Sequence, residues 1–177
     1  MSNRKHHIVL IGFSGCGKST IGPQLARKLK LKFVDTDQLI EKQEKKTISE
    51  IFKTDGERYF RAIESKVLEK VIAIKKRSVI ALGGGGFQKP ANRKLVLENA
   101  LVIFLSCNQK ELYRRLSQKT DRPLLPRSAF LLKEKIRRML AKRINNYQTA
   151  DLIVSTTDKT IREVVAEITG KIKNADS

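Results

Sequence analysis

The chain is poor in cysteine, having only Cys16 and Cys107, and it contains no tryptophan. Two cysteines cannot form the disulfide framework that is typical of small secreted domains. Residues 1–7 are polar and basic, without the apolar segment that a secretory signal requires. No apolar run exceeds six residues, whereas a membrane-spanning helix needs about 20. These absences predict a cytoplasmic protein with reduced thiols and no membrane span.

Acidic residues are also scarce, because 18 aspartates and glutamates are outnumbered by 37 lysines and arginines, which gives a formal net charge of +19. The excess is uneven, since residues 110–143 hold twelve lysines or arginines and three acids. A chain this basic could bind nucleic acid, a membrane surface or small anions. The phenylalanines that could stack on bases instead lie in apolar patterns typical of a core: Phe33, Phe52, Phe60 and Phe104. We therefore expect a solvated basic surface and no nucleic-acid partner.

What the sequence does contain is a regular alternation of short apolar runs with longer amphipathic stretches. The runs are rich in β-branched residues and nearly continuous, as in strands that are covered on both faces. They occupy residues 8–11, 31–34, 79–82, 101–105 and 152–154. The alternation predicts one α/β domain over residues 1–177, in which helices flank a five-stranded parallel sheet to make three layers. Ligands should bind at the carboxyl ends of the strands.

Local signals mark several helix boundaries. Thr47 and Glu50 form a capping-box pattern, which predicts that a helix begins there, and residues 54–56 predict a turn after it. Pro90 suits the first turn of a later helix. Apolar residues at spacings of three and four predict one buried helix face: Phe60, Ile63, Val67, Val71 and Ile74.

Residues 12–19 read Gly-Phe-Ser-Gly-Cys-Gly-Lys-Ser and directly follow the first predicted strand. They match the phosphate-binding pattern G-x-x-x-x-G-K-[ST]. The glycines let backbone N–H groups point at phosphate oxygens, and the following helix adds its positive end. Lys18 would reach the β- and γ-phosphates, and the Ser19 hydroxyl would ligate Mg²⁺. Cys16 occupies a free position of the pattern, where we expect a small filling side chain.

Asp35 ends the second predicted strand, and no other predicted strand ends in a carboxylate. In many proteins with this loop, such an aspartate supports the Mg²⁺ ion, so Asp35 is the metal candidate and would act through water. Asp37 lies two residues further on, and in an extended segment both carboxylates would enter one crevice. Alternatively, Asp37 caps a helix that begins near Gln38.

The third predicted strand ends in four glycines, residues 83–86. A glycine in a regular element carries an entropic cost of about 0.5–1 kcal/mol, so such a run needs a reason. It indicates either close approach of the backbone to a ligand or a flexible turn.

Two arginines adjoin apolar helix faces. Arg143 falls at helical spacing in a row of three other residues: Ile136, Leu140 and Tyr147. A buried charge needs an anion, so Arg143 either binds a ligand, pairs with an acid, or tilts outward while Ile144 takes the inward position. Arg61 follows Phe60 and could bind a ligand, but a pair with Glu64 fits the spacing equally well.

Residues 117–129 are polar and basic, and Pro123 and Pro126 interrupt them between two helical stretches. This composition is typical of a mobile flap. Arg122 and Arg127 could close over phosphates, and closure would exclude the water that otherwise hydrolyses ATP.

Taken together, these motifs resemble the shikimate kinase family over about residues 8–155. They occupy residues 12–20, 33–37, 51–57, 60–64, 82–85, 122–125 and 141–147. The phosphate-binding loop alone indicates only a nucleotide-binding protein, whereas the ordered set is far more specific. The resemblance implies a nucleoside-monophosphate-kinase-like P-loop fold, with an acceptor-binding region at about residues 37–64 and a lid at about 117–129. It implies transfer of the ATP γ-phosphoryl group to the 3-hydroxyl of shikimate, a step toward chorismate and the aromatic amino acids.

The resemblance also implies roles for single residues. Asp37 would hold the acceptor hydroxyls and assist proton removal, and Arg122 would be the lid arginine on the transferred phosphoryl group. The shikimate carboxylate and ring would be held by Arg61, Arg143 and the backbone of Gly83, Gly84 and Gly85. Arg115 would stack on adenine. The nucleotide would be bound by Gly15, Cys16, Gly17, Lys18, Ser19, Thr20, Arg115 and Arg122. One Mg²⁺ would be held by Ser19 and Asp35, and we expect a monomer. The basicity leaves room for a second role.

A pocket with one carboxylate and several arginines suits a small hydroxy acid. Two other functions stay open. A kinase for a nucleotide or another hydroxy acid is the first, and a nucleotide acceptor would need a second adenine slot. A nucleic-acid-binding protein with a regulatory nucleotide site is the second, and its mark would be a groove of lysines with exposed aromatic residues.

Overall fold

The computed structural model describes residues 5–118 and 128–175. Five strands form one parallel sheet. They are β1 (His7–Ile11), β2 (Lys32–Asp35), β3 (Ser78–Ala81), β4 (Ala100–Ser106) and β5 (Leu152–Ser155). Their order across the sheet is β2-β3-β1-β4-β5. The predicted parallel α/β sheet is confirmed, and every strand boundary lies within one residue of its expected position.

Helices connect the strands and cover both faces of the sheet. They are α1 (Lys18–Lys28), α2 (Thr36–Glu44), α3 (Ile48–Thr54), α4 (Gly56–Ile72), α5 (Pro90–Asn99), α6 (Gln109–Ser117), α7 (Ala129–Tyr147) and α8 (Ile161–Ala175). A short 3-10 turn, Gly86–Gln88, precedes α5. Among residues 5–118 and 128–175, no helix is long and apolar enough to cross a membrane.

The central strand β1 separates two apolar clusters. All five of its residues are buried, and alternate side chains point to opposite faces of the sheet. Ile8 and Leu10 join a cluster with α1, α6 and α8, whereas Val9 and Ile11 join one with α4 and α5. Burial on both faces explains why the strands are continuously apolar in sequence.

Most of the predicted helix signals are confirmed. Glu50 N donates to Thr47 Oγ1 at 3.2 Å, and Thr47 N donates to Glu50 Oε2 at 2.7 Å, which completes the capping box. Pro90 is the first residue of α5. The assignment of Ile74 to the buried face was wrong, because α4 ends at Ile72 and Ile74 is 43% exposed. The chain leaves the helix at Ala73, so the helical spacing no longer sets the direction of the Ile74 side chain.

Gly22 brings α1 close to β2. A Cβ atom added at Gly22 would overlap the Phe33 ring, whereas a Cβ added at Gly170 on α8 would meet nothing within 4 Å. The two glycines therefore form a matched pair, because both lie inside helices and differ in the space around them.

We expect Gly170→Ala to raise the free energy of unfolding by about 0.5–1 kcal/mol, since alanine loses less backbone entropy in a helix. We expect Gly22→Ala to lower it by about 1–3 kcal/mol, because Phe33 must move in a packed layer. Urea unfolding curves of both variants measure these changes. A Gly22→Ala protein as stable as Gly170→Ala would show that α1 and β2 are not in this close contact.

Candidate active site

A cavity of about 530 Å³ lies at the carboxyl ends of the strands, where the parallel sheet predicts a ligand site. Its walls come from the loop after β1, the ends of β2 and β3, helix α6 and the connection from β5 to α8. The side chains and backbone that face it include charged and polar groups from separate parts of the chain: Lys18, Ser19, Asp35, Asp37, Gly84 and Arg115.

The loop after β1 has the predicted strand–loop–helix context. Gly12, Gly15 and Gly17 adopt φ angles of 145°, 89° and 106°, a region that side-chain-bearing residues rarely occupy. Gly17 is the N-cap of α1, so the first N–H groups of that helix open into the cavity wall. Glycines at these positions therefore let the backbone curl at the positive end of a helix, as anion binding requires.

Lys18 lies across this loop. Its Nζ donates to the Gly12 carbonyl oxygen at 2.8 Å and to the Phe13 carbonyl oxygen at 3.2 Å. Cys16 is completely buried beneath the loop, and its N–H donates to the Phe13 carbonyl oxygen at 3.1 Å. The expectation that Cys16 fills space is confirmed. The Lys18 ammonium group is held at the cavity by two backbone carbonyl oxygens.

Ser19 and Asp35 come together as the sequence suggested. Ser19 Oγ donates to Asp35 Oδ2 at 2.7 Å. The other oxygen, Asp35 Oδ1, accepts from the N–H groups of Asp37 at 3.0 Å and Gln38 at 3.4 Å. Asp35 is therefore the N-cap of α2. The alternative in which Asp37 caps that helix was wrong, and so was the extended segment, because α2 begins at Thr36 directly after the strand.

Thr36, which the sequence interpretation missed, ties the start of α2 to the end of β3. Its buried hydroxyl donates to the Ala81 carbonyl oxygen at 3.3 Å and accepts from the Gly83 N–H at 3.0 Å. Asp37 follows on the first turn of α2, and its carboxylate lies against Gly83. In the sequence, the only indication of this link between β2 and β3 was the position of Thr36 between two aspartates at the end of a predicted strand.

Close approach accounts for two glycines of the run. A Cβ atom at Gly83 would overlap the Asp37 carboxylate, and a Cβ atom at Gly85 would overlap the Arg61 guanidinium. The groups that approach the backbone here are a carboxylate and a guanidinium of the same chain, and its close approach to a ligand stays a prediction. The run therefore gathers two oppositely charged side chains at the edge of the cavity.

Arg61 forms the ion pair that its spacing allowed. Its Nη1 donates to Glu64 Oε2 at 2.8 Å, and its Nη2 lies 3.3 Å from Glu57 Oε1. Burial raises the pKa of Glu64, and the neighbouring Arg61 charge opposes that rise. The Arg61 side chain keeps 33% of its surface exposed beside Gly85, so the pair orients the guanidinium without enclosing it.

Arg143 and Tyr147 share one acceptor, the Gly84 carbonyl oxygen. Arg143 Nη1 donates to it at 3.0 Å and the Tyr147 hydroxyl at 2.8 Å. The Arg143 guanidinium also lies 5.6 Å from the centroid of the Phe13 ring. Tyr147 is fully buried and stacks on Phe104, and burial raises its pKa to about 12. Arg143 therefore bonds to a carbonyl on the cavity wall, and the sequence interpretation missed the role of Tyr147 as the second donor.

Arg115 links three parts of the cavity wall. Its Nε donates to Glu111 Oε1 at 2.7 Å, its Nη2 to the Thr156 carbonyl oxygen at 3.0 Å, and its Nη1 to the Gly15 carbonyl oxygen at 3.4 Å. Hydrogen bonds from Arg114 and then Arg115 hold the pKa of Glu111 down at about 2. Thr156 and Lys159 also line the cavity, and the sequence interpretation missed both. Their position in the sequence, just after the last predicted strand, could have indicated that both residues line the site.

The structure brings most of the predicted site residues to one place. Thr20 lines the cavity with the loop residues, whereas Arg61, Gly83, Gly85 and Arg143 lie beside Gly84 without lining the cavity themselves. Arg122, Arg127 and most of the predicted lid lie outside the residues that the structure describes. The arrangement combines a phosphate-binding loop, a carboxylate and a hydroxyl suited to a metal, and a second carboxylate flanked by arginines. It suits phosphoryl transfer to a small hydroxyl-bearing acid.

Comparisons with known proteins agree on one family. Residues 14–173 match the family model described as shikimate kinase. A shikimate kinase of Chlorobium chlorochromatii is 44% identical over 94% of this chain and 90% of its own length. A shikimate kinase of Geobacter metallireducens is 40% identical over 94% of this chain and 92% of its own length. The solved structure of the Acinetobacter baumannii shikimate kinase in complex with shikimate superposes with a TM-score of 0.90 at 30% identity, covering 98% of this chain and 96% of that one.

The shared Gly84 carbonyl leads to a prediction for Tyr147→Phe. Loss of one donor should lower the free energy of unfolding by about 1 kcal/mol at pH 8, whereas Tyr113→Phe, which removes a hydroxyl group from a partly buried ring, should change it by less than about 0.5 kcal/mol. Because the pKa of Tyr147 is about 12 in the folded chain and about 10 when unfolded, its contribution is complete below pH 10. It should decline as the pH rises from 10 to 12. Denaturant unfolding across this range measures the difference between wild type and Tyr147→Phe, and a constant difference would contradict the raised pKa.

Proposed function

The chain belongs to the shikimate kinase family, and we propose that it transfers the γ-phosphoryl group of ATP to the 3-hydroxyl of shikimate, giving shikimate 3-phosphate and ADP. The observation that carries the proposal is the position of Asp37. Its carboxylate lines the same cavity as Lys18 and the phosphate-binding loop, and it lies against Gly83 beside the two arginines. A hydroxyl acceptor held there would lie next to the phosphates of a bound nucleotide.

The nucleotide would bind on the loop side of the cavity. The N–H groups of Gly15, Gly17 and Ser19 would cradle the phosphates at the start of α1. Cys16 and Thr20 would complete the nucleotide site, and their own N–H groups donate to the Phe13 and Gly17 carbonyl oxygens at 3.1 Å. Lys18 would exchange its two carbonyl contacts for the β- and γ-phosphate oxygens. Arg115, held by Glu111 and Thr156, would present the planar face of its guanidinium to adenine. Arg122, outside the described residues, is assigned to the lid and to the transferred phosphoryl group.

Mg²⁺ would be held by Ser19 and Asp35, one ion per chain. The fit rests on their oxygen atoms, which lie 2.7 Å apart in the cavity wall, because Mg²⁺ prefers a few oxygen ligands together with water and substrate phosphates. When bound, the ion would neutralise charge on the phosphate oxygens. Asp35 would act through water, since its other oxygen already caps α2.

The acceptor would be held by charge complementarity. Arg61 and Arg143 can each bind a carboxylate through two parallel hydrogen bonds, and both lie beside the Gly83–Gly85 backbone. Asp37 would accept hydrogen bonds from the acceptor hydroxyls on the other side of that backbone. An acid carrying several hydroxyls matches this pattern, whereas a nucleotide acceptor would also need a second apolar slot for its base.

In the transfer step, the 3-hydroxyl oxygen forms a bond to the γ-phosphorus while the bond from that phosphorus to the β-bridging oxygen breaks. Asp37 accepts the hydroxyl proton and later releases it to water. Lys18 and Arg122 stabilise negative charge that spreads over the phosphoryl oxygens. The protein therefore acts chiefly through position and charge. We also propose that the enzyme is a cytoplasmic monomer formed by a single kinase domain.

A coupled assay for ADP release tests the proposal. ATP and Mg²⁺ are supplied with shikimate, AMP, gluconate or RNA as the sole acceptor or stimulant, and we expect turnover with shikimate alone. Lys18→Ala should abolish that turnover in a protein that unfolds at the same urea concentration as wild type. Faster turnover with AMP or gluconate would contradict the assigned acceptor, and stimulation by RNA alone would favour a nucleic-acid-dependent NTPase.

Substitution of Asp37 and of Asp35 should affect the kinetics differently. Asp37→Asn should lower kcat by about 10²–10⁴, the usual contribution of a general base, and leave ATP binding unchanged. Asp35→Asn should mainly raise the Mg²⁺ concentration needed for half-maximal activity, because it removes charge from the metal site. Initial rates at varied shikimate, ATP and Mg²⁺ separate the two, with nucleotide Kd values measured by calorimetry. Normal turnover by Asp37→Asn would remove Asp37 from the chemistry.

A further inference from the structure

A cluster of cations lies at the amino-terminal edge of the sheet, at the opposite ends of the strands from the active site. Two chain connections enter adjacent strands there, since Lys32 of β2 pairs with Ser78 of β3. Neighbouring strands are about 4.8 Å apart, so side chains just before these positions are neighbours in space. We call this cluster the basic edge, and it consists of Lys30, Lys32, Lys75, Lys76 and Arg77.

The basic edge carries five positive charges without local compensation. Its four lysines are exposed, and Arg77 is half-buried. The two connections, residues 29–32 and 73–78, contain no acid, and the acids that follow and precede them along the chain are Asp35, at the other end of β2, and Glu69 on α4. Within the described residues, none of the five side chains forms an ion pair. This differs from α6, where Glu111 pairs with both Arg114 and Arg115.

The helix macrodipole explains only part of this charge. Cations stabilise the last turn of a helix, which accounts for Arg27 and Lys28 of α1 and Lys70 of α4. The basic edge lies beyond those turns. Lys30 follows the C-cap of α1 with a φ of 55°, and its neighbour Leu31 donates its N–H to the Ala26 carbonyl oxygen at 2.8 Å. Glycine is preferred at this position of such a helix end, so the lysine is present at a cost to stability.

We propose that the basic edge binds the phosphate backbone of duplex nucleic acid. A duplex presents about one negative charge per 1.7 Å of its axis, which suits several exposed lysines along one edge. A stable interface with an acidic protein needs an apolar centre, and stable attachment to a membrane takes a second signal besides basic charge, such as apolar residues that insert into it. In the two connections, the one large exposed apolar side chain is Ile74. Single strands are bound chiefly by stacking on aromatic rings, and these segments contain none.

The sequence alone argued against a nucleic-acid partner because its aromatic residues belong to the core. Contact with a duplex backbone does not need aromatic residues. The cluster was also not visible in the sequence, because residues 30–32 and 75–77 lie far apart along the chain. Their adjacency became visible only through the pairing of β2 with β3.

The test uses the full chain and a fluorescein-labelled DNA duplex of about 20 base pairs. Anisotropy titrations at several NaCl concentrations give the Kd and its salt dependence. The edge variant combines Lys32→Gln, Lys75→Gln and Lys76→Gln. The control combines Lys66→Gln, Lys94→Gln and Arg138→Gln, three exposed cations on α4, α5 and α7 that lower the net charge equally. Both should keep wild-type turnover, because neither set belongs to the active site.

At about 50 mM NaCl, the edge variant should bind the duplex at least about tenfold more weakly than wild type, and the slope of log K against log salt should become less steep by about 2–3. The control should lose less than about threefold. Equal losses in both variants would overturn the proposal, because they would show a dependence on net charge alone. So would wild-type binding that saturating ATP and Mg²⁺ abolishes, which would place the duplex at the phosphate-binding loop.

Lys30→Gly separates binding from folding. Glycine adopts the left-handed backbone conformation without the steric strain that the lysine side chain causes. This variant should therefore unfold at a higher urea concentration than wild type, while it binds the duplex severalfold more weakly. Unchanged duplex binding by Lys30→Gly and by the edge variant would overturn the proposal. Three other polyanions are compared with the duplex: polyglutamate of matched charge, phosphatidylserine vesicles and a single-stranded DNA of the same length. Equal or tighter binding of any of these through the same lysines would contradict the assigned partner class.

Discussion

The structure depends on the burial of β1 at the centre of a parallel sheet. Every residue of this strand is buried, and its backbone pairs with β3 on one side and β4 on the other. Its carboxyl end is therefore held on both sides, and the following loop has to turn within a few residues into α1. Glycines with positive φ make that turn possible, and the turn directs the N–H groups at the start of α1 toward the cavity. The phosphate site is thus a consequence of how the central strand ends.

The acceptor side of the cavity is built from hydrogen bonds between strand ends. Thr36 connects the end of β2 to the end of β3 through Ala81 and Gly83. On the other side of the glycine run, Arg143 and Tyr147 hold the Gly84 carbonyl oxygen. These bonds leave the backbone between Asp37 and the arginines little freedom, and an active site needs its polar groups held in place before the substrate arrives. The buried phenol of Tyr147 stays protonated over the whole physiological range, so this support does not vary with pH.

The two ends of the sheet carry positive charge in different ways. At the carboxyl ends, cations are held individually, as Arg61 is by Glu64 and Arg115 is by Glu111. Such pairs orient a guanidinium for a small ligand. At the amino ends, the lysines of the basic edge extend from two neighbouring connections without acidic partners among the described residues. Flexible, unpaired lysines suit a repeating polyanion, so the two ends provide for different ligands.

The sequence by itself determined the strands, the phosphate-binding loop and the family, because these depend on local patterns: continuous apolar runs, the glycine spacing of residues 12–17 and an ordered set of motifs. It also indicated that Asp35 and Ser19 belong together. Only the tertiary structure decided that Asp35 caps α2, that Ile74 is exposed and that Tyr147 donates to Gly84. These outcomes depend on where a helix begins or ends and on contacts between residues more than sixty positions apart, such as Gly84 and Tyr147. The basic edge depends in the same way on the pairing of β2 with β3, because spacing along the chain does not reveal which connections become neighbours.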